Sequence, residues 1–269
     1  MRTTCLALAA ALALVTAVAA RADDPPKPAD PDPKAEPRSD PKPESGSPSS
    51  PNALVDDLVA KMGDAKFAVH RLDAATASKD LQDAKLLPPL VKLLRDDHPD
   101  VRTAAIAALG TRSDPEQAKK AADALAERLK PLSKKPEHSG ELIAACTALH
   151  DLAQPSTVDA LLDDMAPGTD LDVVFARCMA VGNIPSPKAI EGLIDLMSKG
   201  HRDGSGIRGT AAKALAYATG ERAVNDPDHW RAWWKENAKS FDFGRAASER
   251  EASRRKKDEA EDRRNKRKK

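Results

Sequence analysis

The sequence predicts an all-α protein, a solenoid of about five stacked helical hairpins closed by a further helix at its C-terminal end. Three observations lead there. Between Pro and Gly breaks the apolar residues recur at helical spacing, and alternating β-branched runs are missing. A hairpin pattern then repeats: Leu109-Gly110, Leu149, Val181-Gly182 and Leu215 hold like places near the ends of successive second helices, 40, 32 and 34 residues apart. Each hairpin buries little by itself, so a core forms only where neighbours stack.

The elements follow in chain order. Residues 1–22 read as a secretory signal: Arg2 forms the positive start, and Cys5 to Ala19 form an apolar run of Ala, Leu and Val. Two small-x-small sites end it, at Ala17-Val18-Ala19 and Ala20-Arg21-Ala22, with cleavage expected after Ala22. The competing reading is a retained anchor, but the run is shorter than the roughly 20 residues of a spanning helix. Cleavage implies an exported protein, periplasmic or extracellular. Cys5 stands at the start of the run, so it leaves with the signal and is no lipid-attachment site.

Residues 23–52 form a linker in which ten of thirty residues are Pro, with four bases against seven acids, net −3. Such a segment has little to bury and stays extended. A Pro-motif ligand is the alternative to a spacer. Residues 53–244 form the folded body, enough for one core. Its helix pairs are expected at 53–62 and 66–79, 86–95 and 99–110, 115–131 and 138–153, 156–165 and 171–183, and 187–198 and 206–218. Asp97 or Asp100 is expected to cap the helix opening at 99. A further helix at 227–238 begins with Asp226 as N-cap and Pro227 at its first position. It carries all three tryptophans on one face: Trp230, Trp233 and Trp234. At this spacing they read as a cap over the last hairpin. An exposed aromatic platform for a sugar is the alternative.

Residues 245–269 hold twelve Lys or Arg against six Asp or Glu, net +6. With only four alanines for apolar surface, this tail is expected to dock on nothing. It is expected to form a lone helix through Glu251/Arg255, Glu259/Arg263 and Asp262/Lys266 pairs. The chain total of +1 thus conceals an acidic body, net −4, and a basic tail.

The run Leu86-Leu87-Pro88-Pro89-Leu90-Val91-Lys92-Leu93-Leu94, then Asp96-Asp97-His98-Pro99-Asp100-Val101-Arg102 and Ala104-Ala105-Ile106-Ala107-Ala108-Leu109-Gly110, resembles a HEAT repeat. Ile207-Arg208 with Ala211, Ala214 and Leu215 matches well. Leu58 to Ser78 matches more loosely, through Gly63-Asp64, Phe67 and Arg71. The pair at 115–153 lacks the Val-Arg turn, and the pair at 156–184 keeps only Ala180-Val181-Gly182-Asn183-Ile184. The Trp helix is similar to the close of secreted bacterial HEAT proteins that end on W-x-x-W-W. The resemblance implies a right-handed superhelix with second helices on the concave side, and a binding or scaffolding role. It also implies that Arg71, Arg102 and Arg208 pair with Asp residues of neighbouring turns in a ladder, with partner contact as the other role open to them.

No catalytic pattern emerges. The six His are scattered, with no H-E-x-x-H or H-x-x-x-H. There is no G-x-S-x-G, P-loop or G-x-G-x-x-G. His98 between Asp97 and Asp100 belongs to a turn rather than a metal site, and Asp56-Asp57 and Asp163-Asp164 diverge on helix faces. Cys146 and Cys178, 32 residues apart, read as buried free thiols, with a disulfide as the alternative. No cofactor is expected, and no specific nucleic-acid contact. The expected function is a non-catalytic protein-interaction or scaffold module. Two alternatives are an accessory role like that of bilin-attaching HEAT proteins, which would need a Cys, Tyr or His cluster, and attraction of residues 245–269 to anionic polymers or membrane surfaces.

Overall fold

The structure is a computed structural model that describes residues 51–163, 165, 169–199 and 206–266. The expected signal, and the linker up to residue 50, lie outside the described residues. Pro51 and Asn52 open the first helix instead of closing the linker.

All regular structure among the described residues is helical. Five hairpins pair α1 (Pro51–Met62) with α2 (Ala68–Ala77), α3 (Leu87–Leu93) with α4 (Pro99–Gly110), and α5 (Pro115–Ser133) with α6 (Ser139–Leu152). They continue with α7 (Val158–Leu162) and α8 (Leu171–Asn183), then α9 (Pro187–Lys199) and α10 (Ile207–Thr219). Two more helices follow, α11 (Pro227–Asn237) and α12 (Phe243–Lys266). Second helices pack in sequence, α2 on α4, α4 on α6, α6 on α8 and α8 on α10; α1, α3, α5, α7 and α9 form the parallel layer. One apolar core runs between the layers, from Val55 and Leu58 through Leu90, Leu109, Leu125, Leu149 and Val181 to Leu215.

The starts of the helices have local causes. Asp114 accepts from the Gln117 amide at 2.9 Å, Asp170 from that of Asp172 at 2.8 Å, and Asp226 from that of Asp228 at 3.1 Å. Pro leads α4, α5 and α11, where its missing N–H costs nothing. Neither Asp97 nor Asp100 caps α4, as the sequence had suggested. The N-cap is His98, which makes no side-chain cap bond, and Asp96 accepts the His98 amide at 2.9 Å. Asp96 wins because it stands two residues ahead of that amide, the spacing of an Asx turn.

The first helices differ greatly in length. α3 and α7 have 7 and 5 residues, each led by a 3₁₀ turn, while α5 has 19 and continues past Pro131. The expected helices at 86–95 and 156–165 are therefore too long. α7 stops where Asp163 turns extended at φ −72°, ψ 156°.

Second helices approach most closely at two glycines. A methyl on Gly110 would stand 2.8 Å from Ala148 Cβ, and one on Gly182 would stand 2.8 Å from the Ala214 carbonyl oxygen. Both sites lie toward the C-terminal ends of their helices, on one edge of the stack.

Candidate binding surfaces

The opposite edge, at the N-terminal ends of the second helices, is charged. Arg71 on α2 grips Asp96 of the following hairpin with two bonds, Nε to Oδ2 at 2.6 Å and NH2 to Oδ1 at 3.0 Å. Its NH1 donates to the Asp64 carbonyl at 2.7 Å. The guanidinium holds the Asp96 carboxyl below its ordinary range, with the His98 amide helping. Arg102 on α4 donates to the Asp96 carbonyl at 2.8 Å and, across to the third hairpin, to Glu141 at 2.9 Å. Glu141 also accepts from Arg128 at 3.3 Å. Arg208 stands 4.0 Å from Asp226. Thus the three arginines singled out by sequence each face a carboxylate, and the side chains of Arg71 and Arg102 are nearly buried.

Sequence reasoning missed three buried charged residues, Glu141, Arg112 and Arg177. Glu141 occupies the first turn of α6, where the other strong repeats carry Arg; the missing Val-Arg turn was the available signal. Arg112 is buried past the end of α4 and donates to the carbonyls of Ala108 at 3.0 Å and Ser78 at 2.7 Å, at the C-terminal ends of α4 and α2; burial lowers its pKa. Arg177 is buried in the middle of α8 and donates to the carbonyls of Leu161 at 3.2 Å and Asp163 at 2.5 Å, and to the Ser133 hydroxyl. Its helix lacks the Val-Arg start and keeps only the HEAT-like run Ala180 to Ile184, which does not include it.

The tryptophans lie where α11 meets α9. Trp230 is fully buried and donates to the Val224 carbonyl at 2.7 Å, and Trp234 is buried and donates to Glu191 at 3.3 Å. Trp233 is half-buried, edge-on to Trp230 at 5.8 Å between ring centres. Phe241 and Phe243 pack against Trp234 at 5.9 and 6.4 Å. No row of bare rings faces solvent.

The tail departs from expectation. Phe243 roots α12 in the aromatic cluster, Ala246 is buried, and Arg250 stacks on the Tyr217 ring at 4.7 Å. Arg250 also donates to the carbonyls of Ala218 at 2.9 Å and Tyr217 at 3.2 Å, at the C-terminal end of α10. Docking needs no apolar face here, because guanidinium stacks on an aromatic ring and caps helix carbonyls at once. Of the expected intrahelical pairs, Glu259–Arg263 forms at 3.3 Å; Arg245–Glu249, which was not among them, forms at 2.8 Å.

This docking encloses a cleft of about 860 Å³ against His150, Asn183 and Tyr217, near the ends of α6, α8 and α10. The Tyr217 hydroxyl stands 3.5 Å from His150 Nε2 and 3.3 Å from Asn183 Oδ1. The single tyrosine therefore does meet a histidine, which the sequence reading did not foresee. Cys146 and Cys178 are buried free thiols, pushed up to about 12 by burial, so neither offers a thiolate to this cleft.

A set of uncharged side chains on the second helices stays at least partly exposed, although Ile143 and Met179 also pack on the core. Thr103 and Ala107 on α4, Ile143 and Thr147 on α6, and Phe175 and Met179 on α8 recur at helical spacing and are exposed or half-buried. Among the described residues, no group of three or more His, Cys, Asp or Glu could hold a metal ion, and no helix is long and apolar enough to cross a membrane.

The family model for HEAT repeats matches residues 55–138, from within α1 to the turn before α6. A search of curated proteins found no match. Residues 55–138 are thus similar to HEAT repeats, and the described residues form an all-α solenoid of HEAT-like hairpins.

Proposed function

We propose that this protein is a non-catalytic scaffold that acts outside the cytoplasm and holds an extended protein segment along its second helices. HEAT repeats commonly mediate protein interaction, and the family is generally non-catalytic. One observation carries the reading for this chain: Thr103 and Ala107, Ile143 and Thr147, and Phe175 and Met179 recur at a spacing of four on the second helices of three successive hairpins and stay exposed or half-buried. Such a series suits a backbone lying close with apolar side chains between helices, and binding spreads over several repeats. Export rests on the residues of the N-terminal signal. The basic end of α12 adds salt-sensitive attraction to acidic surfaces.

The test is a partner isolated with the mature protein, then titrated against variants. Thr147→Glu and Met179→Glu should each weaken binding at least tenfold, while Glu127→Lys on the first-helix layer leaves it unchanged. Loss with Glu127→Lys alone places the partner on the other layer and refutes the reading. N-terminal sequencing of exported protein should begin near Asp23; a chain starting at Met1 refutes export by cleavage.

A further inference from the structure

The charged edge is broken at one place. Arg71 and Arg102 each meet a carboxylate of the next hairpin, but Arg177, only 1% exposed, meets none among the described residues. Its partners are neutral: the carbonyls at the end of α7 and the Ser133 hydroxyl. Its Nε is buried with no partner. A buried cation without a counter-charge is expensive to hold, and an anion arriving beside it is correspondingly favoured.

Beside Arg177 lies an open cleft of about 550 Å³, at the C-terminal end of α5. Lys135 and Asp170 stand on its wall with Ser133, Ser139 and Arg177. The Ser133 and Ser139 hydroxyls already donate to the carbonyls of Leu129 at 2.7 Å and Pro136 at 2.6 Å, so they add dipole rather than free protons. The Asp170 carboxylate is engaged in capping α8 through the Asp172 amide. Lys135 is exposed and forms no ion pair among the described residues. The first turns of α6 and α8 both begin at this cleft and direct their positive ends toward it.

We propose that this cleft is a binding site for a phosphate-bearing small molecule, whose phosphate supplies the counter-charge that Arg177 lacks among the described residues. Lys135 closes over the anion from the solvent side, and the first-turn amides of α8 without intrahelical acceptors face it. The cleft volume is that of a small-molecule site, larger than the anion alone. It is separate from the second-helix series and stands or falls independently of protein binding there.

Inorganic phosphate titrated calorimetrically into the full chain, at constant ionic strength, tests this. Saturable binding is expected, weakened about tenfold by Lys135→Gln and further by Arg177→Lys, and unaffected by Lys134→Gln, a neighbour off the cleft. Lys135 is on the surface, so its variant folds even if changes at Arg177 do not. Succinate in place of phosphate separates the two oxyanion chemistries, and phosphate should bind more tightly. No saturable phosphate binding, equal losses in Lys135→Gln and Lys134→Gln, or tighter succinate binding overturns the proposal.

Discussion

Asp96 joins two hairpins through one carboxylate, taking both bonds from Arg71 and the amide of His98. Its pKa is lowered from 3.8. A carboxyl depressed in the folded state stabilises fully above its unfolded value and loses that contribution as pH falls through the folded value. Asp96→Asn should therefore cost about 3 kcal/mol near neutral pH, by stranding a nearly buried Arg71. The deficit relative to the unsubstituted protein should shrink below about pH 3.8, measured by urea unfolding at each pH. Cys146 and Cys178 make a second prediction: with thiols pushed up to about 12, both should stay unlabelled by iodoacetamide at pH 8 in the folded protein and react fully in denaturant. At this scale the sequence was legible where a residue acts within a repeat motif. Arg71 and Arg102 could be singled out because each follows an Asp-bearing turn, Gly63-Asp64 and Asp96-Asp97, that opens the second helix of a HEAT-like hairpin. Glu141 and Arg177 could not, because their partners lie 39 and 44 residues away and depend on how helices stack.

At the scale of the element, α11 and α12 behave as one unit. Alanine substitution in the aromatic cluster should follow burial, with Trp230→Ala and Trp234→Ala each costing about 3–5 kcal/mol and Trp233→Ala distinctly less, read from melting curves. Arg250→Ala removes the ring stack and two carbonyl bonds together. It should leave the hairpins folded but raise amide exchange across 245–255, the stretch that otherwise docks. A full deletion of 245–269 should cost measurable stability, the reverse of what an undocked tail implies. Helical periodicity, Pro and Asp marked nearly every element start in advance. The ends were harder to read, since α3 and α7 stop where hairpin geometry turns the chain and α5 runs through Pro131, a residue that ordinarily disrupts a helix.

On the scale of the whole stack, the two edges are built from different materials. The edge carrying Gly110 against Ala148 and Gly182 against Ala214 is held by backbone contact at the shortest distance helices allow. Gly110→Ala and Gly182→Ala should each destabilise by more than the helix-propensity gain of alanine, about 1 kcal/mol, because the added methyl has no room. The other edge is held by long arginine side chains reaching carboxylates. Pulled from its ends, such a stack does not stretch evenly. It pivots on the glycine contacts, which act as fulcrums, and opens like a fan along the ionic edge. Its stiffness is then a property of pH: acid that protonates Asp96 releases Arg71 and softens the spring without unfolding a single helix.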